Sequence, residues 1–142
     1  MALLIPRTPI VNSIGYTMIV GIGVDVIEIK RIEDLINNYP DHAIFKLFTE
    51  KEIYYCETQK FKYNSYSARF AAKEAMMKAL GRGLRSGINW KDIEIVHTAD
   101  GKPMINLYGK ALEIAQNLNA QSVEVSLSHS KTMAIAMVVL SK

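Results

Sequence analysis

Two charged residues one helical turn apart, Glu74 and Lys78, sit in an alanine-rich run that reads SARFAAKEAMMKALGRG over residues 67–83. A carboxylate can hold a hard cation or take a proton, and an ammonium can hold a phosphate as a point charge. The same spacing of four also fits an ordinary exposed ion pair on a helix, worth roughly 0.2–0.5 kcal/mol. A second carboxylate, Asp25, follows a short apolar run rich in β-branched residues. Magnesium is commonly held by one or two carboxylates together with substrate phosphates, so Asp25 and Glu74 form a candidate pair if the fold joins them. Locally, Asp25-x-x-Glu28 also has the pattern of a helix capping box. Residues 81–90 hold three glycines and two arginines, and a loop of this kind exposes backbone N–H groups to anions. Gly81 and Gly83 fit neither a Walker loop nor a dinucleotide fingerprint. No Cys/His spacing points to zinc, no Gly-x-Ser-x-Gly points to a serine hydrolase, and Cys56 stands alone without a disulfide partner.

The charge pattern agrees with anion chemistry. The net charge is only +3, but Lys60, Lys62, Arg69, Lys73, Lys78, Arg82 and Arg85 fall close together in the chain. A clustered positive field implies an anionic partner: phosphates, an acidic protein or nucleic acid. The apolar fraction of 49% and charged fraction of 22% are those of a globular domain, and 142 residues suffice for one such domain with a core. No apolar run approaches the ~18 residues of a membrane helix.

These residues need elements to position them. The run at 67–83 predicts a central helix, with Gly81 as its stop. Residues 18–24 predict a buried strand ending just before Asp25. Ile29, Ile32, Leu35 and Ile36 recur at helical spacing until Asn-Asn-Tyr-Pro at 37–40 breaks the pattern. A short amphipathic segment at 44–48 precedes a capping box, Thr49-x-x-Glu52, which opens a helix to about Thr58. Residues 59–65 read as a polar, basic loop. Residues 93–97 and 104–107 read as strands joined by an Asp100-Gly101 turn. A helix at 110–118, a strand at 123–128 and a continuous apolar strand at 133–140, expected to be fully buried, complete the chain. The order favours an α+β fold, an antiparallel sheet with helices packed on one face. Residues 1–17 lack periodicity and acidic residues and do not have the build of a secretory signal. They are expected to be a weakly structured extension ahead of a single domain over 18–142.

Four ordered motifs carry a family resemblance. GIGVDVIEIKRI at 21–32 resembles the opening motif of the holo-acyl-carrier-protein synthases, the small 4′-phosphopantetheinyl transferases. RFAAKEA at 69–75, continuing through Lys78-Ala79-Leu80-Gly81, resembles their second motif, and Gly101-Lys102-Pro103 and SLSHS at 126–130 resemble the later ones. The resemblance implies the family's α+β fold and a reaction: the 4′-phosphopantetheine arm of coenzyme A passes to a serine of apo-acyl-carrier protein, releasing adenosine 3′,5′-bisphosphate. It implies magnesium on Asp25 and Glu74, with Glu74 accepting the serine proton directly or through a water on the metal. Lys78 would contact the pyrophosphate. Arg69, Gly81, Gly83, His129 and Ser130 would approach coenzyme A. His129 fits a structural histidine equally well. Arg31 would dock the acidic carrier protein, although an exposed arginine paired with Glu28 or Asp34 fits its position too. The resemblance further implies a cytoplasmic homotrimer with active sites between subunits, a role in fatty acid biosynthesis, and no nucleic-acid or membrane partner. Two other readings compete: a nucleic-acid-binding module using the basic cluster, and a catalytically silent carrier-binding subunit. The RNA-recognition aromatic motifs are missing from the first, and retention of both Asp25 and Glu74 argues against the second.

Overall fold

The structure, a computed structural model, describes residues 17–142. The extension expected at residues 1–17 thus lies, apart from Thr17, outside the described residues. Strand β1 (Ile19–Glu28) opens the fold and runs four residues beyond Val24. Antiparallel pairing with β5 (Met133–Ser141) continues to Glu28 opposite Met133, which gives the backbone at Asp25 a strand partner, Ala136. Asp25 is therefore not a helix cap. The helix α1 (Ile29–Asn38) starts only after Glu28, which makes no side-chain capping bond. Sheet pairing has overridden a local pattern here.

Helix α1 buries Ile29, Ile32 and Ile36. Pro40 does not end helical structure but starts a new helix, α2 (Pro40–Leu47), where the missing N–H of a first-turn proline costs nothing. Helix α3 (Glu50–Glu57) carries the expected capping box: the Thr49 N–H donates to Glu52 Oε1 at 2.9 Å and the Glu52 N–H to Thr49 Oγ1 at 3.4 Å. Helix α4 (Lys62–Leu80) begins inside the stretch expected to be a loop. Tyr66 anchors this early start. Its ring is fully buried 4.8 Å from Phe48, and its hydroxyl donates to Glu57 at 2.9 Å. Gly81 ends α4 in the left-handed region at φ +68°, as its lack of a Cβ permits.

Two short 3-10 turns, Leu84–Ser86 and Trp90–Asp92, lead into the hairpin β2 (Ile93–His97) and β3 (Pro103–Leu107). Helix α5 (Gly109–Asn117), strand β4 (Ser122–His129) and β5 follow. The main sheet has the order β1-β5-β4 and is antiparallel throughout, and β2-β3 forms a separate ribbon. Helix α4 lies across β1 and β5, and Ala71, Ala72, Ala75 and Met76 on it are fully buried. The fold is α+β, as the element order implied.

β5 is not buried on both faces. Ala134, Ala136, Val138 and Leu140 point into the core, whereas Ile135 and Met137 are exposed. Apolar side chains on alternate positions cover a second, open face. Ile22, Val24 and Val26 of β1 share that exposure, with Val24 opposite Met137 and Val26 opposite Ile135.

Candidate active site

The site starts from two glycines. Gly21, Gly23 and Asp25 share the face of β1 turned toward α4. A Cβ built on Gly23 would lie 1.9 Å from the Ala75 carbonyl oxygen, and one on Gly21 would lie 2.1 Å from that of Ala79. The helix backbone therefore rests directly on the strand backbone. Asp25, next on the same face, comes under the last turns of α4. Lys78 Nζ donates to Asp25 Oδ1 at 3.0 Å and to the Val24 carbonyl at 2.9 Å. The lysine thus reaches the strand and is not merely a surface partner of Glu74.

Glu74 is half-buried beside this pair. Burial and the Asp25 charge push its carboxyl above the usual range, while Lys78 and Arg31 pull in the opposite direction. Asp25, Glu74, Lys78 and Arg31 thus form one electrostatic neighbourhood. Arg31 is exposed on α1, away from the buried Ile29, Ile32 and Ile36. Asp34, one of the partners expected for it, is held instead by Lys30 at 2.7 Å.

Glu74, Lys78, Gly81 and Gly83 line one open groove of about 590 Å³. Arg82 and Arg85 line it too, and neither was selected from the sequence. Their place on a glycine-rich loop directly after the helix was the available signal. Gly83 has open space around its Cα, so its backbone is free to be approached.

Arg69 and His129 lie elsewhere. They line a second cavity of about 330 Å³, together with Tyr55, Lys60, Phe61 and His97, and no residue lines both spaces. Arg69 is 2% exposed, and its guanidinium sits 4.0 Å above the Tyr55 ring. One of its nitrogens bonds His97 Nδ1 at 3.2 Å, and another donates to the Ser65 carbonyl at 3.4 Å. Burial, and then the Arg69 charge, hold His97 below the usual imidazole range. His129 is exposed at the end of β4. Ser130, next to it, uses its hydroxyl oxygen to accept from the Thr132 and Met133 N–H groups at 3.3 and 3.1 Å. This serine holds the β4–β5 turn. Tyr55 and His97 were missed in the sequence, where nothing but distant contacts links them to Arg69.

The basic cluster is smaller in space than in sequence. Lys73 is fully buried and donates to Glu52 at 2.8 Å and to the carbonyls of Trp90 and Ile93. Glu52 also accepts from the Ile95 N–H at 3.1 Å. This pair ties α3 and α4 to the ribbon and adds nothing to a surface field. Cys56 is fully buried, and burial pushes its thiol up to about 12, which leaves it unreactive.

The donor set at Asp25 and Glu74 fits magnesium. Two hard oxygen donors lie close enough that the charge of one raises the pKa of the other, which is the strain a cation relieves. Among the described residues no group of three His, Cys, Asp or Glu that could hold a metal ion assembles. Also among them, no helix is long and apolar enough to cross a membrane.

Comparison with known proteins covers the same stretch. A family model described as the 4′-phosphopantetheinyl transferase superfamily matches residues 21–137. A holo-[acyl-carrier-protein] synthase from a Geobacter species is 45% identical over 125 residues, 88% of this chain and 100% of the relative. The solved holo-[acyl-carrier-protein] synthase of Neisseria meningitidis superposes with a TM-score of 0.79 at 34% identity, covering 88% of this chain and 100% of that one. The Helicobacter pylori holo-[acyl-carrier-protein] synthase, solved in complex with coenzyme A, superposes at 0.74 and 32% identity over 84% of this chain and 98% of that one.

Proposed function

The chain belongs to the 4′-phosphopantetheinyl transferase superfamily, and from that premise we propose that it transfers the 4′-phosphopantetheine arm of coenzyme A to a serine of apo-acyl-carrier protein. The observation that carries this reading is the meeting of Asp25, Glu74 and Lys78 at the contact of β1 with α4, beside a groove lined by Gly81 and Gly83. The serine oxygen attacks the phosphorus that bears the pantetheine. The bond from that phosphorus to the bridging oxygen breaks, and its electron pair leaves on adenosine 3′,5′-bisphosphate. Glu74 takes the serine proton. Lys78, held over Asp25, turns its ammonium to the diphosphate and lowers the cost of charge on the leaving side. Asp25 and Glu74 would hold a magnesium ion, which would supply a further offset of that charge. The acidic carrier approaches along α1, with Arg31 as its contact beside Glu74. The active domain spans residues 18–142 and serves fatty acid biosynthesis in the cytoplasm.

The active unit is a homotrimer whose sites lie between subunits. Two features support this. The candidate coenzyme A contacts fall in two separate spaces, Lys78, Gly81 and Gly83 in the groove and Arg69 and His129 in the cavity. The open apolar face of β1 and β5 offers the surface for a neighbour.

The deciding experiment incubates the protein with coenzyme A, magnesium and apo-carrier and follows the carrier by mass spectrometry. A gain of one phosphopantetheine is expected, and its absence sinks the proposal. Light scattering should give about three times the 15.9 kDa chain mass. A monomer that retains activity removes the shared site.

A further inference from the structure

Arg69 is nearly sealed from solvent, yet it is not spent. Its terminal nitrogens carry two N–H groups each and have one partner each among the described residues, so Nη1 and Nη2 keep one donor apiece where Arg69 lines the cavity. Tyr55 covers the guanidinium from one side, with Cζ 4.0 Å from the ring centroid. The Ser65 carbonyl and His97 Nδ1 fix its rotation. A guanidinium has no acceptor, so Nδ1 must accept from it, and a neutral ring then carries its proton on Nε2. Tyr55 also stacks on the His97 ring, with centroids 4.6 Å apart and planes within 5°. Each of the three groups therefore fixes the other two.

We propose that His97 is a positioning residue, which holds Arg69 in the one orientation that presents its free donors to an anionic phosphate of coenzyme A in this cavity. Arg69 makes the contact, and His97 acts through it. The assignment rests on the reading above that the cavity with Arg69 and His129 receives part of coenzyme A. Its physical basis is preorganisation. An arginine already held by a cation–ring contact and two hydrogen bonds loses little rotamer freedom when the phosphate arrives. Without the Nδ1 acceptor, a buried N–H loses its partner and the guanidinium turns to find another.

The test compares His97→Phe with His97→Asn in the full chain, with coenzyme A varied at saturating carrier and magnesium. Phenylalanine keeps the stack on Tyr55 and loses the acceptor, whereas asparagine restores an acceptor oxygen. His97→Phe should raise the KM for coenzyme A about tenfold. Its kcat should stay within roughly twofold. His97→Asn should recover most of the loss. An unchanged KM in His97→Phe overturns the proposal, as does a KM in His97→Asn no better than in His97→Phe. A joint fall of kcat, coenzyme A affinity and melting temperature makes His97 merely structural and also overturns it. Should His97→Phe fail to fold, His97→Gln, with its acceptor one methylene further out, takes its place against His97→Asn. Arg69→Lys separates the two layers of the argument. An unchanged KM there means the cavity does not receive coenzyme A and the underlying reading fails. A raised KM there, with His97→Phe unaffected, removes only the role given to His97.

Discussion

Replacing Gly23 with alanine should damage the site by moving a helix, without touching any charged group. The added Cβ would stand 1.9 Å from the Ala75 carbonyl oxygen, 2.8 Å from the Ala79 nitrogen and 2.9 Å from the Ala75 carbonyl carbon. All three are backbone atoms, so no side chain can swing aside. Bringing the closest contact from 1.9 Å to 3.0 Å requires α4 and β1 to part by about 1.1 Å. Overpacking of this kind costs about 1–3 kcal/mol, against a total stability of roughly 5–15 kcal/mol, so the variant should still fold. The site has less tolerance. Lys78 Nζ lies 2.9 and 3.0 Å from its two acceptors on β1, and a further ångström takes both past hydrogen-bonding distance. A misplacement of about 1 Å costs on the order of 100-fold in rate. Urea melts should therefore show a modest loss of stability, and the carrier-modification assay a loss of about two orders of magnitude in kcat/KM. Gly83→Ala is the control for stability. Its Cβ meets nothing within 4 Å and its φ of −121° suits any residue. Its melt should match the parent. A Gly23→Ala protein with parental activity would show that close approach of α4 to β1 does not set the site.

Three further outcomes follow from particular contacts. In chelator-treated protein, Glu74→Gln should melt at or above the parent temperature at neutral pH. The raised pKa of Glu74 means a penalty absent below the ordinary carboxylate range and full above the folded value, so the difference should vanish toward acid, and a lower midpoint at neutral pH would contradict it. Lys73→Met should cost about 3–5 kcal/mol in urea melts, because Glu52 is left charged and buried, and Lys73→Met with Glu52→Gln should recover part of that loss. Arg31→Glu should raise the carrier KM about tenfold, flatten its salt dependence and spare the KM for coenzyme A; the reverse pattern would move Arg31 to the nucleotide site.

The elements were legible where local chemistry and tertiary packing agree. Ile93–His97 is a strand in both readings, and the Thr49 capping box opens α3 as its pattern implies. Legibility failed where distant partners decide. The cap pattern at Asp25 yields to pairing with β5, and the polar stretch from Lys62 becomes helical because Tyr66 buries itself against Phe48. A continuous apolar run reads as two buried faces, but Ile135 and Met137 show that one face can be apolar and open. The role of Gly21 and Gly23 is likewise invisible to composition, since it depends on the carbonyls of a helix some fifty residues later.

For the site, helical periodicity says toward which side each residue of the motif points. Residues on an α-helix advance by about 100° each, so Glu74 and Lys78, four apart, lie about 40° from one another. Both line the groove. Arg69 and Glu74, five apart, lie about 140° from one another and cannot serve the same space on one chain. Arg69 accordingly faces the cavity with His97 and His129. The next turn on the Arg69 side brings Lys73, which α3 and the ribbon enclose completely. α4 thus carries charge on two bearings: Glu74 and Lys78 toward the groove, and on the other side Arg69 facing the cavity with Lys73, one turn on, sealed in the core. The resemblance assigns Arg69, Glu74 and Lys78 to one site, whereas the helix turns Arg69 away from the other two. The same geometry bears on how one extended diphosphate ligand could use both spaces. In the trimer proposed above, it would meet the groove of one chain and the cavity of another, without wrapping around α4, whose flank is packed on β1 and β5. That arrangement asks for no rearrangement of the core.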